Sequence, residues 1–345
     1  MPGYAVGVIG ATGAVGREFL RVMEERDFPV RELRLWASPR SRGRQLEFGG
    51  RAYTIESLDN AVYEGLDFVL ISASSDVSRA EAPRVAQAGA LAIDDSSAFR
   101  YEASVPLVVP EVNLDDIAWH QGIVATPNCS TTQMVLPLAS LHAVNPIRRI
   151  IVDTYQSVSG WGGRAIEELR DQTAAVAAGD VPTVDTSVFP HQIAFNLIPE
   201  IDSSRVDGYT KEEWKMAVET QKILHAPNLQ VSATCVRVPV CRAHSEAVHV
   251  EFETPMSPEK ARDLLSDTPG VQVVDDLQGH AYPTPLVAEG NDWVWVGRLR
   301  RDSSHPNGLA MWIVSDNLRK GAATNSIQIA EAAIANSWCG SGRTS

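Results

Sequence analysis

Cys129 is followed by Ser130, Thr131 and Thr132 and then by a helical run from Gln133 to His142. That order places the thiol at a helix N-terminus, where the macrodipole lowers a thiol pKa and makes the nucleophilic thiolate available near neutral pH. A cysteine taken alone is more often a small buried apolar side chain, so the thiol needs partners. Cys129, Cys235, Cys241 and Cys339 are too few and too scattered for a disulfide framework, and none forms the CxxC pair of zinc or redox sites. No metal is implied. Histidine titrates nearest neutrality and suits proton transfer, worth roughly 10²–10⁴-fold in rate. Of the eight histidines, His244 lies seven positions after Arg237. Glu219 and Lys222 stand at i and i+3 on a helix predicted over Lys211–Leu224 and so share a face, where a simple salt bridge would also explain them.

A second kind of chemistry is written near the N-terminus. Gly10, Ala11, Thr12, Gly13, Ala14, Val15 and Gly16 form a GxxGxxG turn between an apolar run, Tyr4–Ile9, and a helical one, Arg17–Glu25. In that context glycines allow a tight turn and close backbone approach to a pyrophosphate, which meets N–H groups at the helix N-terminus. The next strand ends at Leu33–Ala37 without the carboxylate that bonds a ribose 2′-hydroxyl, and Ser38, Pro39, Arg40, Ser41 and Arg42 follow. Hydroxyls and a guanidinium there suit a 2′-phosphate, which favours NADP over NAD; a solvated basic turn is the alternative.

These residues need a framework. Apolar runs at Phe68–Ser72, Leu91–Asp94 and Val105–Val109 alternate with helical segments such as Asp76–Ala88, the pattern of a doubly wound parallel sheet. A Rossmann-like α/β domain is expected over residues 1–127. Strand-like stretches at Arg149–Val158, Val231–Pro239, Ala247–Phe252, Trp293–Leu299 and Leu309–Val314, with few helices between them, read as an α+β domain with a mostly antiparallel sheet over 128–314. The alanine-rich helix Lys320–Asn336 is expected to pack back on the first domain, which 315–345 completes, and Cys339–Ser345 to fray.

Composition excludes other classes. Hydrophobic residues are 44% and charged residues 21% of 345, an ordinary globular balance. The net charge of −13 argues against a nucleic-acid or anionic-membrane partner. Without a long apolar stretch or a basic leader segment, a cytoplasmic protein is expected.

Several motifs, in order, resemble the aspartate-semialdehyde dehydrogenase family: Gly10–Gly16; Ser96-Ser97-Ala98-Phe99-Arg100; Pro127-Asn128-Cys129-Ser130-Thr131-Thr132; Gln156-Ser157-Val158-Ser159-Gly160; Glu219-Thr220-Gln221-Lys222; Arg237-Val238-Pro239-Val240 with His244; and Asp316 to Ala323. The resemblance implies that Cys129 forms an acyl-enzyme thioester, that His244 is the acid/base and that Gln156 positions the substrate. It gives Arg237 the substrate α-carboxylate and Glu219 the ammonium group. Lys222, Arg100 and Asn128 would take the phosphate. Ser159, Gly160 and Asn317 would lie on the cofactor side. Arg42 and Arg44 beside Arg40 depart from the family pattern and leave open which arginine meets the 2′-phosphate.

The implied reaction is NADPH-dependent reductive dephosphorylation of aspartyl phosphate to aspartate semialdehyde, on the route to lysine, threonine, methionine and diaminopimelate. A homodimer formed through the second domains is also implied. N-acetyl-γ-glutamyl-phosphate reductase is the enzymatic rival, but it follows its cysteine with Tyr-Pro-Thr, where this chain has Ser130-Thr131-Thr132. A catalytically silent paralogue that only binds nucleotide is the rival from another class.

Overall fold

The chain alternates short apolar strands with helices as far as Ala125, and then turns to long strands with fewer helices. The structure is a computed structural model and describes residues 3–179 and 186–339. Its first part runs β1 (Tyr4–Ile9), α1 (Ala14–Glu25), β2 (Val30–Ala37), β3 (Gln45–Phe48), β4 (Arg51–Thr54), β5 (Glu56–Ser57), β6 (Phe68–Ile71), α2 (Ser75–Gln87), β7 (Leu91–Asp94), α3 (Pro110–Asn113) and β8 (Ile123–Ala125). Six strands form one sheet in the order β5-β2-β1-β6-β7-β8, every pair parallel. β6 and β7 are buried on both faces, which explains why they read as unbroken apolar runs. The order reverses at β1, so the glycine turn leaves the sheet at a topological switch point, where such folds bind ligands.

Val105–Val109 is not the strand expected. It touches the sheet through a single bridge, Leu107 to Ala125, and β8 takes the edge instead. Pro106 brings no N–H to a ladder and Pro110 starts α3, so the apolar run lies buried as an extended segment.

The second part comprises α4 (Cys129–Val144), β9 (Ile147–Gln156), α5 (Gly163–Ala178), α6 (Lys211–Ile223), β10 (Gln230–Arg237), β11 (His244–Phe252), α7 (Pro258–Ser266), β12 (Val271–Val273), α8 (Pro285–Ala288), β13 (Val294–Arg301) and β14 (Gly308–Ser315). The sheet order is β10-β9-β11-β14-β13-β12, antiparallel through its centre and parallel in its two outer pairs. One face carries two polar rows. Arg237 pairs with Gln156, and His244 sits level with them opposite Ser315; one row below are Cys235, Thr154, Glu246 and Ile313.

The chain divides into two compact units, one reaching to Asn128 and resuming at Ala322, the other Cys129–Gly321. The return comes at Ala322 rather than at 315, because 316–321 stay with the second unit. α9 (Thr324–Ala335) then joins the core of the first, its Ile327, Ala330 and Ala333 clustering with Phe19 and Met23. Asn325 donates to the Val108 carbonyl at 2.8 Å and Arg26 pairs with Glu331 at 2.6 Å. Of the segment expected to fray, 340–345 lies outside the described residues. Among the described residues no helix is long and apolar enough to cross a membrane.

Candidate active site

In the first unit, the glycine turn is built for close approach. Gly10 has φ +84°, and a Cβ there would strike the Ser72 carbonyl, while one at Gly16 would strike the Gly10 carbonyl. Gly13 caps α1 with no side chain of its own, so the loop Thr12–Val15 presents backbone at a helix N-terminus. Thr12 Oγ1 lies 3.4 Å from Ser41 Oγ, which joins the glycine turn to the turn after β2. Ser38, Arg40, Arg42 and Arg44 are exposed around it. These residues fit a nicotinamide dinucleotide.

Where β7 ends the backbone carries two acids, Asp94 buried and Asp95 half-buried. Asp94 accepts from Ser78 and from Ser96 N and Oγ, and Asp95 accepts from Ser72 and Thr126. Arg100 donates to the Asp95 carbonyl oxygen at 2.8 Å. Burial outweighs the Arg100 charge and pushes the Asp95 carboxyl up to about 6. Asn128, buried, ends this unit.

In the second unit, Cys129 is the first residue of α4. A Cβ at Gly321 would lie 2.8 Å from the Cys129 Cβ, so bare backbone packs on the thiol-bearing residue. Gly321 belongs to the π-turn Arg319–Ala323, a form frequent at functional sites.

His244, at the start of β11, is fully buried. Ser157 donates its N–H to His244 Nδ1 at 3.0 Å, and Nε2 has no hydrogen-bond partner among the described residues. With Nδ1 accepting, the ring proton is assigned to Nε2. Burial, and then the nearby Arg237 guanidinium, push the imidazole down to about 3. Ala243 just before it adopts φ +70° and donates its N–H to Asn317 Oδ1. The same Oδ1 accepts from Ser157 Oγ at 3.2 Å and Ser159 Oγ at 2.9 Å. Asn317 is thus the knot that ties the β9 turn to the approach of β11.

Arg237 is buried and donates to the Ser157 carbonyl at 2.7 Å. Burial lowers its pKa, while the charges of Glu212 and Cys129 favour the guanidinium. A Cβ on Gly160 would come within 3.0 Å of Arg237 Nη1 and 3.3 Å of His244 Nε2, so glycine lets the β9 turn lie over both. Arg237 also borders a cavity of about 290 Å³ lined by Trp161, Phe189, Pro190, Ile201 and Asp202.

Gln156 accepts from Thr154 Oγ1 at 3.0 Å and donates Nε2 to Glu212 Oε1 at 3.1 Å. Glu212 Oε2 in turn pairs with Lys215 Nζ at 3.0 Å, which reaches Asp202 at 2.7 Å. The acid and ammonium beside Gln156 are thus Glu212 and Lys215, where the sequence had named Glu219 and Lys222. Glu219 and Lys222 lie two turns further along α6, about 10 Å down its axis. The signal for the pair at this end of α6 was the direction of the chain. A short connection joins α6 to β10, so the N-terminal turn of the helix packs at the C-terminal end of the strand, where Arg237 is. The capping box of Thr210 and Glu213 marks that turn.

The sequence reading therefore named Gln156, Arg237, His244, Ser159, Gly160 and Asn317, which the structure brings together, and missed Glu212, Lys215, Ser157 and Thr154. Among the described residues no cluster of three or more His, Cys, Asp or Glu could hold a metal.

Residues 5–120 match the family model described as semialdehyde dehydrogenase, NAD binding domain, and 138–320 match semialdehyde dehydrogenase, dimerisation domain. The chain is 52% identical over 333 residues to the aspartate-semialdehyde dehydrogenase of Aquifex aeolicus, covering 95% of this chain and 97% of that one. The chain belongs to the aspartate-semialdehyde dehydrogenase family. It is 45% identical to the Bacillus subtilis family member over 337 residues, 95% of this chain and 97% of that one. A crystal structure of aspartate semialdehyde dehydrogenase II from Vibrio cholerae complexed with ASA superposes with a TM-score of 0.95, at 45% identity, covering 97% of this chain and 99% of that one. The family makes this chain an oxidoreductase of amino-acid biosynthesis with a nicotinamide cofactor.

Proposed function

We propose that the chain reduces L-aspartyl 4-phosphate to L-aspartate 4-semialdehyde with NADPH, through a thioester on Cys129, as a step towards lysine, threonine, methionine and diaminopimelate. The observation that carries this reading is the buried His244, which lies beside Arg237 and whose Nε2 has no hydrogen-bond partner among the described residues.

The Cys129 thiolate attacks the acyl carbon, the bond from that carbon to the phosphate oxygen breaks and phosphate leaves. Backbone N–H groups at the start of α4 face the nucleophile's end of the helix and stabilise negative charge there. Arg237 grips the α-carboxylate with parallel N–H bonds. Glu212, rather than Glu219, takes the α-ammonium, and Gln156 is held between Thr154 and Glu212 so that its amide stays fixed beside the acyl group. Lys215 holds Glu212 in place and supplies positive charge, the part first assigned to Lys222. Arg100 and Asn128 keep the phosphate role.

When bound, the nicotinamide supplies hydride to the acyl carbon. Gly10, Thr12, Gly13, Ala14, Val15 and Gly16 would hold its pyrophosphate, Ser38, Arg40 and Ser41 a 2′-phosphate, and Ser159, Gly160 and Asn317 its nicotinamide end. His244 Nε2–H donates a hydrogen bond to the oxyanion that follows and holds it until the carbonyl reforms and Cys129 leaves as the thiolate.

The second-unit sheet face opposite the polar rows carries Tyr155 against Trp312 at 5.4 Å and exposes Tyr282, Leu286 and Trp293. That apolar area, within the matched dimerisation domain, supports a homodimer. The absence of a membrane-crossing helix and the family's chemistry support a cytoplasmic location.

The test is phosphate-dependent NADPH formation from aspartate semialdehyde, run beside N-acetylglutamate semialdehyde and with NAD replacing NADP. Activity on the first substrate alone, abolished in Cys129→Ser, is expected. Activity only on the acetylated substrate would assign the chain to the rival reductase, and NADPH binding without turnover to a silent paralogue.

A further inference from the structure

Between Asp95 and Arg100 the chain forms neither strand nor helix. Side chains hold its backbone instead. Ser96 donates both its N–H, at 3.0 Å, and its hydroxyl, at 2.9 Å, to the carboxylate of Asp94, the last residue of β7. The same hydroxyl oxygen accepts the Ala98 N–H at 3.0 Å. The N-terminal end of α2 presents Ser75, Ser78 and Arg79, which at i, i+3 and i+4 share one face, to the same place. Ser75 Oγ lies 3.0 Å from Ser97 Oγ, Ser78 donates to Asp94 Oδ1 at 2.8 Å, and Arg79 donates to the Ala98 carbonyl at 3.0 Å. Arg100, itself buried, folds back to donate to the Asp95 carbonyl, and the Asp95 N–H is fixed to Ile71 of β6 at 2.8 Å. The hydrogens run one way. Ser96 has a single hydroxyl hydrogen, and Ala98 N–H to Ser96 O–H to Asp94 is a relay that ends on an acceptor. An ionised carboxylate, acceptor-only, takes that donor together with the Ser96 N–H and the Ser78 O–H.

We propose that Asp94 is a positioning residue for phosphate: acting through Ser96, it sets the loop that carries Arg100, so that the guanidinium is ordered before the ligand arrives. This rests on the reading that Arg100 takes the phosphate. An arginine side chain free to rotate loses that freedom on binding, whereas one already held has lost it beforehand and binds more tightly for the same contacts. The surroundings agree. Burial pushes the Asp94 carboxyl above the usual carboxylate range, and the Ser78 and Ser96 bonds, followed by the Arg100 charge, draw it back toward ionisation. Asp95 holds Arg100 through a backbone carbonyl, which no side-chain substitution removes, so the hold of Asp94 can be tested separately. Asparagine at 94 keeps the size and spoils the relay. With its oxygen in the place of Oδ1, the amide N–H₂ meets Ser96 Oγ, and the Ser96 hydroxyl hydrogen loses its acceptor. Turned the other way, the amide N–H₂ meets the Ser96 N–H.

The test is the phosphate dependence of aspartate semialdehyde oxidation by the full-length protein. Asp94→Asn and Ser96→Ala should each raise KM for inorganic phosphate by roughly ten- to thirtyfold. KM for the semialdehyde, KM for NADP and kcat at saturating phosphate should stay within about threefold. The double variant should be no worse than about twice the more impaired single one, because the two residues act through one relay. A phosphate KM unchanged in both single variants overturns the proposal, and so does a uniform loss across kcat and all three KM values, which a merely structural role would give. Hydrogen–deuterium exchange, which needs no substrate, should run at least about tenfold faster over residues 95–101 in both variants; exchange at the wild-type rate also overturns it. Should Asp94→Asn fail to fold, Ser96→Ala, which removes only a hydroxyl, decides. A wild-type protein without phosphate-dependent turnover would defeat the proposed function and with it the phosphate role, while the exchange rates would still judge the hold of Asp94 and Ser96 on the loop.

Discussion

Ser157 donates its backbone N–H to His244 Nδ1 over 3.0 Å, and that single bond decides which ring nitrogen can meet a substrate. A neutral imidazole with its proton on Nε2 is the result. In ¹⁵N-histidine-labelled protein, His244 should show an unprotonated Nδ1 and a protonated Nε2 from pH 8 to below pH 5. A ring that titrates near 6.5 would contradict the assignment.

The same histidine sets an acid sensitivity. Its pKa is depressed to about 3 by burial and Arg237, against 6.5 when unfolded, so the unfolded chain takes up the proton first as pH falls. Stability should therefore be lost from about pH 6.5 downward, amounting to about 2 kcal/mol by pH 5. Urea titrations at pH 7 and pH 5 measure it, and His244→Asn should remove most of the difference.

Asp95 works in the opposite sense. Its carboxyl is raised to about 6 by burial, so its contribution is fully present below the unfolded value of 3.8 and is lost as pH rises through 6. Asp95→Asn should raise the thermal midpoint at pH 8 and give no gain at pH 4. A variant equally destabilised at both pH values would show that the carboxylate charge is needed there.

Gly321 tolerates no side chain. Gly321→Ala should leave the fold intact at a cost of about 1–3 kcal/mol in overpacking and lower kcat far more than it raises KM, since the added carbon meets Cys129. Steady-state kinetics beside a thermal melt separate the two effects.

The two acid–ammonium pairs of α6 can be told apart directly. Glu212→Gln and Lys215→Gln should each lower kcat/KM by at least about tenfold, while Lys222→Ala should stay within about threefold. The reverse pattern would restore the assignment to Glu219 and Lys222 that the family resemblance implied.

That confusion shows where sequence stops being informative. Glu212 and Lys215, like Glu219 and Lys222, are three apart, and the pairs are two helical turns apart, so periodicity puts all four on one face. Only the packing of the helix start against the strand end selects the first pair. The glycine turn was legible because its constraint is local, a strand, a φ of +84° and a helix in direct succession. Cys129 at a helix start was legible for the same reason. Val105–Val109 read as a strand because apolar character is shared by buried strands and buried extended segments, and Pro106 within it was the discriminating residue. Glu246 was illegible: an acid in a strand reads as solvent-facing, and nothing local announces that this one points inward.

The second unit begins at Cys129 and ends at Gly321, and those two residues touch. Once folded, this long insertion is for the rest of the chain a closed loop whose ends already meet, so it adds almost none of the closure entropy its length would suggest. The first unit, in contrast, lacks α9 until the whole of the second unit has been made. Synthesis therefore releases a complete second unit before the nucleotide-binding unit can finish its core, and Cys129 is the residue at which the chain makes that closure.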